Sequence, residues 1–179
     1  MARLFPAVPY PHTAAMHLAL RSVRSEDEDF LFRLYASTRQ EEISAWGWDA
    51  GQQEAFLRMQ FRAQRHGYAA DYPESDYQVI LADDEPVGRL IVNRTEKEVR
   101  LVDIAVLPEY RNRGLGAALI NDLMAECQAS RKPLRLQVAK GNRAARLYER
   151  LGFLTTGEDD VYWHMWWDPI ASTSQSQHE

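Results

Sequence analysis

Arg111-Asn112-Arg113-Gly114-Leu115-Gly116-Ala117 is the stretch on which the reading of this chain turns. It follows an apolar, strand-like run, Leu101-Val102-Asp103-Ile104-Ala105-Val106-Leu107. It opens a segment with Leu115, Leu119, Ile120, Leu123 and Cys127 at helical spacing. Strand, glycine-bearing turn and helix start, in that order, form a cradle for a phosphate or pyrophosphate. The first N–H groups of a helix lack intrahelical acceptors and carry the positive end of its dipole. Gly114 and Gly116 would let an anion approach the backbone with no Cβ in the way.

Related phosphate loops are excluded by the residues after Gly116. A nucleotide P-loop needs Gly-Lys-Ser/Thr, and a dinucleotide fingerprint needs a third glycine; here Gly116 leads into Ala117, Ala118, Leu119 and Ile120. The pattern present is Arg-x-x-Gly-x-Gly, after a strand and the residues Pro108-Glu109-Tyr110. It resembles the acetyl-CoA signature of the GNAT superfamily of N-acyltransferases. A second segment, Asn142-Arg143-Ala144-Ala145-Arg146-Leu147-Tyr148-Glu149-Arg150-Leu151-Gly152-Phe153, is similar to that family's other hallmark.

The 179 residues fit one domain with a substantial core, and 45% hydrophobic residues is ordinary for a globular chain. A net charge of −5 gives no basic footprint for nucleic acid. One cysteine, Cys127, excludes an intramolecular disulfide. No run approaches the ~20 apolar residues of a membrane span, and Pro6, Pro9 and Pro11 break any signal-peptide h-region. A cytoplasmic protein is expected, without nucleic-acid or membrane partners, as a monomer or homodimer.

Periodicity predicts the order βααβββαβαββ. His17–Val23 reads as a strand. Ser25 with Glu28 reads as a capping box before a helix carrying Phe30, Leu31, Leu34 and Tyr35. A second helix is expected after Asp49, with Phe56, Met59, Gln60 and Ala63 along one side, ending near Gly67. Two runs flanking Asp83-Asp84-Glu85 read as a hairpin, Val99–Leu107 as the fourth strand and Leu134–Val138 as the fifth. Phe153–Gly157 and Val161–Trp167 close the sheet. Residues 1–15 are expected to be a flexible leader, with Met16 an alternative start, 16–168 the domain, and 169–179 a disordered polar tail.

The resemblance covers nearly the whole chain. It implies the α/β GNAT fold: a mixed central sheet splayed between strands 4 and 5, with helices on both faces. It also implies acetyl-CoA as acyl donor, direct attack by a small-molecule or peptide amine, and no metal. The backbone of Arg111, Asn112, Arg113, Gly114, Leu115, Gly116 and Ala117 would bind the CoA phosphates, with the Arg111 and Arg113 side chains as further partners. Ile104, Ala105 and Val106 would pair with the pantetheine arm like an added strand, and Asn142 would hydrogen-bond it. Tyr148 would protonate the leaving thiolate, or else pack α-helix to sheet with Leu147 and Leu151. The base is Asp103, Glu41, Glu42 or water. Arg39, Glu42, Trp48 and Gln60 would meet the acceptor, among aromatics that include Tyr35, Tyr162, His164 and Trp166. The alternative from another class is a catalytically silent acyl-CoA-binding or sensing module. The five histidines show no metal-ligand spacing.

Overall fold

The computed structural model describes residues 3–4, 8–10 and 13–170. Along them run β1 (Arg3–Leu4), β2 (Val8–Tyr10), β3 (Thr13–Met16), β4 (Leu18–Ser22), α1 (Glu28–Ser44), α2 (Ala50–Asp71), β5 (Asp76–Ala82), β6 (Glu85–Arg94) and β7 (Val99–Val106). They continue with α3 (Leu115–Ser130), β8 (Leu134–Ala139), α4 (Ala144–Arg150), β9 (Leu154–Glu158) and β10 (Tyr162–Trp167). From β4 onward this is the order that periodicity predicts. The described residues form two compact units, one within Met1–Ile91 and Asp103–Arg113, the other within Val92–Val102 and Gly114–Glu179.

In the first unit the strands lie in the order β1, β4, β5, β6 and the second half of β7. The stretch expected to be a flexible leader contains β1, which pairs antiparallel with β4 through Arg3↔Leu20 and Leu4↔Ala19, and β2, which pairs with β3. Residues 171–179 of the expected tail lie outside the described residues. Asp83 and Asp84 take φ of +50° and +68°, the left-handed pair that a two-residue hairpin turn requires. Asp83 also exchanges hydrogen bonds with the His17 backbone, both at 2.9 Å, which pins the start of β4.

Two helix ends differ from expectation. The start of α1 is organised by Asp27, not by Ser25 and Glu28. Its carboxylate accepts the Arg24 N–H at 2.8 Å and both prongs of Arg21 at 2.7 Å. A buried carboxylate needs several donors, and a single serine cap could not supply them. At the start of α2, Asp49 accepts the Gln52 N–H at 2.9 Å while Gln52 reaches back to Asp49 N–H at 3.2 Å. This helix runs past Gly67 to Asp71. Gly67 lacks the positive φ of a helix-ending glycine, and one glycine inside a helix costs only about 1 kcal/mol. The side of α2 that is buried carries Leu57 and Phe61, packed with Leu31, Leu34, Tyr35, Val79 and Leu81, whereas Met59 is 57% exposed.

In the second unit β7 pairs parallel with β8 from Val99↔Leu134 to Leu101↔Leu136. β10 pairs antiparallel with β8 on one side and with β9 on the other. The helix α3 buries Leu115, Leu119, Ile120, Leu123 and Cys127, the residues its spacing selects. Met165 and Trp167 of β10 are buried as alternation predicts; Val161, before the strand, is exposed.

Gly88 fixes how closely β6 and β7 approach. A Cβ there would meet Ala105 O at 2.5 Å and Ile80 Cδ1 at 2.9 Å, and the neighbouring Val87 O accepts the Leu107 N–H at 2.9 Å. Gly88→Ala is expected to lower unfolding stability by about 1–3 kcal/mol, read from urea midpoints. Asp27 gives a pH dependence. The Arg21 hydrogen bonds, helped by the Arg24 N–H and working against burial, hold its carboxyl below the ordinary 3.8. Its stabilisation is therefore complete above that value and is lost as pH falls through the lower folded-state value. Asp27→Asn is expected to flatten the acid limb of stability while lowering stability at neutral pH.

Candidate active site

The second half of β7 is set by a buried charge. Arg89, on β6, is 5% exposed. Its Nε and Nη2 both donate to Asp103 Oδ2, at 2.9 and 2.7 Å, and Nη2 also donates to Gln64 Oε1 of α2 at 3.1 Å. Asp103, one of the residues expected as a base, is thus the counter-ion of Arg89. Ile104, Ala105 and Val106 follow it, each half-buried. Their end of the strand is held by Arg111, whose Nε donates to Val106 O at 3.0 Å and whose Nη2 lies 3.5 Å from Ser37 O of α1. The guanidinium expected at a phosphate serves here as a backbone clamp. Arg113 lies over the Tyr110 ring, 5.2 Å from its centroid.

Asn112 takes φ +59° and Gly114 φ +78°. Left-handed residues at such spacing turn successive N–H groups toward one side of a loop, a geometry suited to anions. In the second unit Gly114 is the cap of α3, and the Ala118 N–H closes the first helical turn on Gly114 O at 3.0 Å. The N–H groups of Leu115, Gly116 and Ala117 precede that first bond. A Cβ on Gly116 would meet nothing nearer than Leu147 Cδ2 at 3.5 Å, an ordinary contact. The protein's own packing does not demand glycine there.

After β8, Asn142 Oδ1 accepts the Ala144 N–H at 2.9 Å and so organises the start of α4. Tyr148, on α4, is 5% exposed, with its ring 5.7 Å from that of Phe153. The Phe153 N–H donates to Tyr148 O at 3.0 Å, and Gly152, at φ +87°, makes the turn that permits it.

The residues expected to meet the acceptor divide into two groups, both in the first unit. Arg39 donates to Glu42 at 3.0 Å and lies over the Tyr35 ring at 5.9 Å, while the Tyr35 hydroxyl donates to Gln60 Oε1 at 3.3 Å. Trp48 belongs to an edge-to-face cluster with Trp46 and Phe56, at 5.0–5.3 Å, and Trp46 and Trp48 are 41% and 38% exposed.

A model of the acetyltransferase (GNAT) family matches residues 29–153, well over half of the chain. The chain belongs to the GNAT family. It is an acyltransferase of the acetyl-CoA-dependent kind and has the fold of that family. It is similar to a putative ribosomal protein bS18-alanine N-acetyltransferase of Bacillus subtilis, 26% identical over 141 residues, 78% of this chain and 82% of that one. It is also similar to the ribosomal protein bS18-alanine N-acetyltransferase of Haemophilus influenzae, 31% identical over 75 residues. That match takes in 41% of this chain and spans about half, 51%, of the relative's length. Among solved structures, the PaiA N-acetyltransferase of Thermoplasma acidophilum in complex with coenzyme A superposes with a TM-score of 0.61. At 16% identity it covers 84% of this chain and 98% of its own, a likeness of fold.

Sequence reading of this GNAT chain missed Arg89 and Gln64. The signal for Arg89 is an arginine inside the otherwise apolar run Val87–Val92, which asks for a buried partner. Among the described residues no group of three His, Cys, Asp or Glu side chains could hold a metal ion, and no helix is long and apolar enough to cross a membrane. Arg89→Met, which fills the same space without the charge, leaves Asp103 without its cation. It is expected to lower stability by less than Asp103→Asn, which leaves the more deeply buried guanidinium without its anion and is expected to cost about 3 kcal/mol or more; urea unfolding of the two variants checks the order.

Proposed function

We propose that this chain acetylates the α-amine of a peptide or protein, using acetyl-CoA and no acyl-enzyme stage. The observation that carries the reading is the start of α3, where Gly114 at φ +78° opens a helix whose first N–H groups precede its first intrahelical bond, a geometry suited to an anion. Acetyl-CoA, when bound, supplies an acetyl thioester. The backbone of Arg111–Ala117 holds its phosphates, with Arg111 shaping the loop and Arg113 adding charge. The main chain of Ile104, Ala105 and Val106 aligns the pantetheine arm, and an N–H there polarises the carbonyl. The side chain of Asn142 helps to orient the same arm.

As the amine lone pair forms the C–N bond and the C–S bond breaks, the Tyr148 phenol gives its proton to the departing sulfur. A phenol of pKa about 10 is close enough to a thiol for this to need little retuning. Asp103 serves as a positioning residue through Arg89. Arg39, Glu42, Trp48 and Gln60 select the acceptor. The names of the two curated relatives favour a protein N-terminus beginning with a small residue. A reducing, cytoplasmic setting suits a chain with one cysteine.

Thiol release from acetyl-CoA tests the reading, on a panel of peptides with free N-termini, amino acids and polyamines. Cys127 does not interfere: burial, with Glu126 adding to it, pushes its thiol up to about 12, and it is 0% exposed. Turnover is expected on peptides, with mass spectrometry placing the acetyl group on the α-amine. Tyr148→Phe is expected to lower kcat by on the order of 10²–10³-fold while acetyl-CoA still raises Tm. Full activity in that variant removes Tyr148 as the acid, and no rise in Tm at millimolar acetyl-CoA removes the donor.

A further inference from the structure

Coenzyme A carries, besides its pyrophosphate, a phosphate on the 3′ carbon of its ribose. Such a group is held best by guanidinium side chains. The main-chain N–H groups at the start of α3 suit the pyrophosphate and are used up by it. The loop before them has little charge to spare, because Arg111 donates to Val106 O and Arg113 lies over the Tyr110 ring. The second unit holds another set of cations. Arg143, Arg146 and Arg150 lie along α4 and at its N-cap, and all are exposed.

Their spacing puts them on one stripe. Residues at i, i+3 and i+7 of a helix lie within about 60° of one another around its axis. Leu147 borders the stripe, one turn from Arg143 and from Arg150, while Tyr148, the buried residue of the helix, falls on the opposite side. Leu147 is also the residue that meets the start of α3, its Cδ2 lying 3.5 Å from where a Cβ on Gly116 would stand. The arginines therefore flank the first turn of α3 inside one compact unit. Local structure does not account for them. Arg143 is the N-cap of α4 and makes no capping bond, and Arg146 follows in the first turn, where the helix dipole disfavours a cation. Cations three and four positions apart on a helix also repel one another. Among the described residues none of the three makes an ion pair, although Glu149 lies three positions from Arg146. The first turn of α3 contains no acid, and the neighbouring Lys140 is paired with Glu158 at 3.1 Å.

We propose that Arg143, Arg146 and Arg150 form the subsite for the 3′-phosphate of coenzyme A, and so select acetyl-CoA over a donor that lacks that group. The proposal rests on the reading of the α3 start as the pyrophosphate site. A phosphate above the stripe exchanges the repulsion among three guanidinium groups for charge-assisted N–H···O bonds from each. The stripe is open to water, so salt screens the attraction and each contact contributes modestly. Its effect is discrimination between two ligands that differ by one phosphate, with the main-chain contacts common to both.

The test is calorimetric titration with CoA and with 3′-dephospho-CoA, on wild type, on Arg143→Gln, Arg146→Gln and Arg150→Gln singly, and on the three combined. Wild type is expected to bind CoA on the order of 10-fold more tightly than 3′-dephospho-CoA. Each single variant is expected to lose part of that ratio and the combined variant all of it, with the loss confined to the ligand that carries the 3′-phosphate. Lys97→Gln, between β6 and β7, removes one positive charge elsewhere in the same unit and is expected to keep the wild-type ratio. Equal affinities in wild type overturn the subsite, as do single and combined variants that keep the ratio, or a Lys97→Gln that loses it. Failure of both ligands to bind wild type at millimolar concentration removes the pyrophosphate reading, and this proposal with it.

Discussion

A guanidinium buried as deeply as that of Arg89 has to be given acceptors, because neither water nor an apolar neighbour can meet its charge. The strand around it, with Val87, Leu90, Ile91 and Val92 all buried, offers none. The acceptors come from β7 as Asp103 and from α2 as Gln64, so one cation ties two strands and a helix together. Beside it, the missing side chain of Gly88 allows Ala105 to draw close. The placement of the Ile104–Val106 main chain follows from these two facts, and Arg111 secures its far end. The residues that do so are spread over β6, α2 and the loop after β7, yet all of them act on one strand.

Most of the fold was legible because local patterns and burial agree along it. The spacing of Leu115, Leu119, Ile120, Leu123 and Cys127 is helical, and all five are buried. The Asp83-Asp84 pair tolerates left-handed φ and lies between two apolar runs, so a hairpin was the natural reading. The differences lie where a partner from another element overrides a local signal, or where a helix tolerates a residue that often ends one. Ser25 looks like a helix cap until Arg21, from the preceding strand, draws Asp27 into that role. Gly67 looks like a stop, but its backbone keeps helical angles and α2 continues.

The candidate site divides in the same way. The helix start at Gly114 depends on residues adjacent in sequence and was visible there. The commitments of side chains were not. Asp103 meets an arginine 14 positions earlier, Arg111 reaches back to the turn's own strand, and His164 meets Gln137 across 27 positions. A carboxylate, an imidazole and an amide carry no mark in the sequence of which neighbour they will face. Strand register decides it, and register follows from the burial of alternating residues such as Leu134, Leu136 and Val138 on β8.

Cys127, the single cysteine of the sequence, lies wholly inside the α3 packing with its thiol pushed up to about 12. At the pH of a cell such a sulfur has almost no thiolate for peroxide or an electrophile to strike. Chemically the residue is a small apolar filler of the α3 packing: its sulfur is closed to solvent and holds its proton, so it serves by shape and not by reactivity.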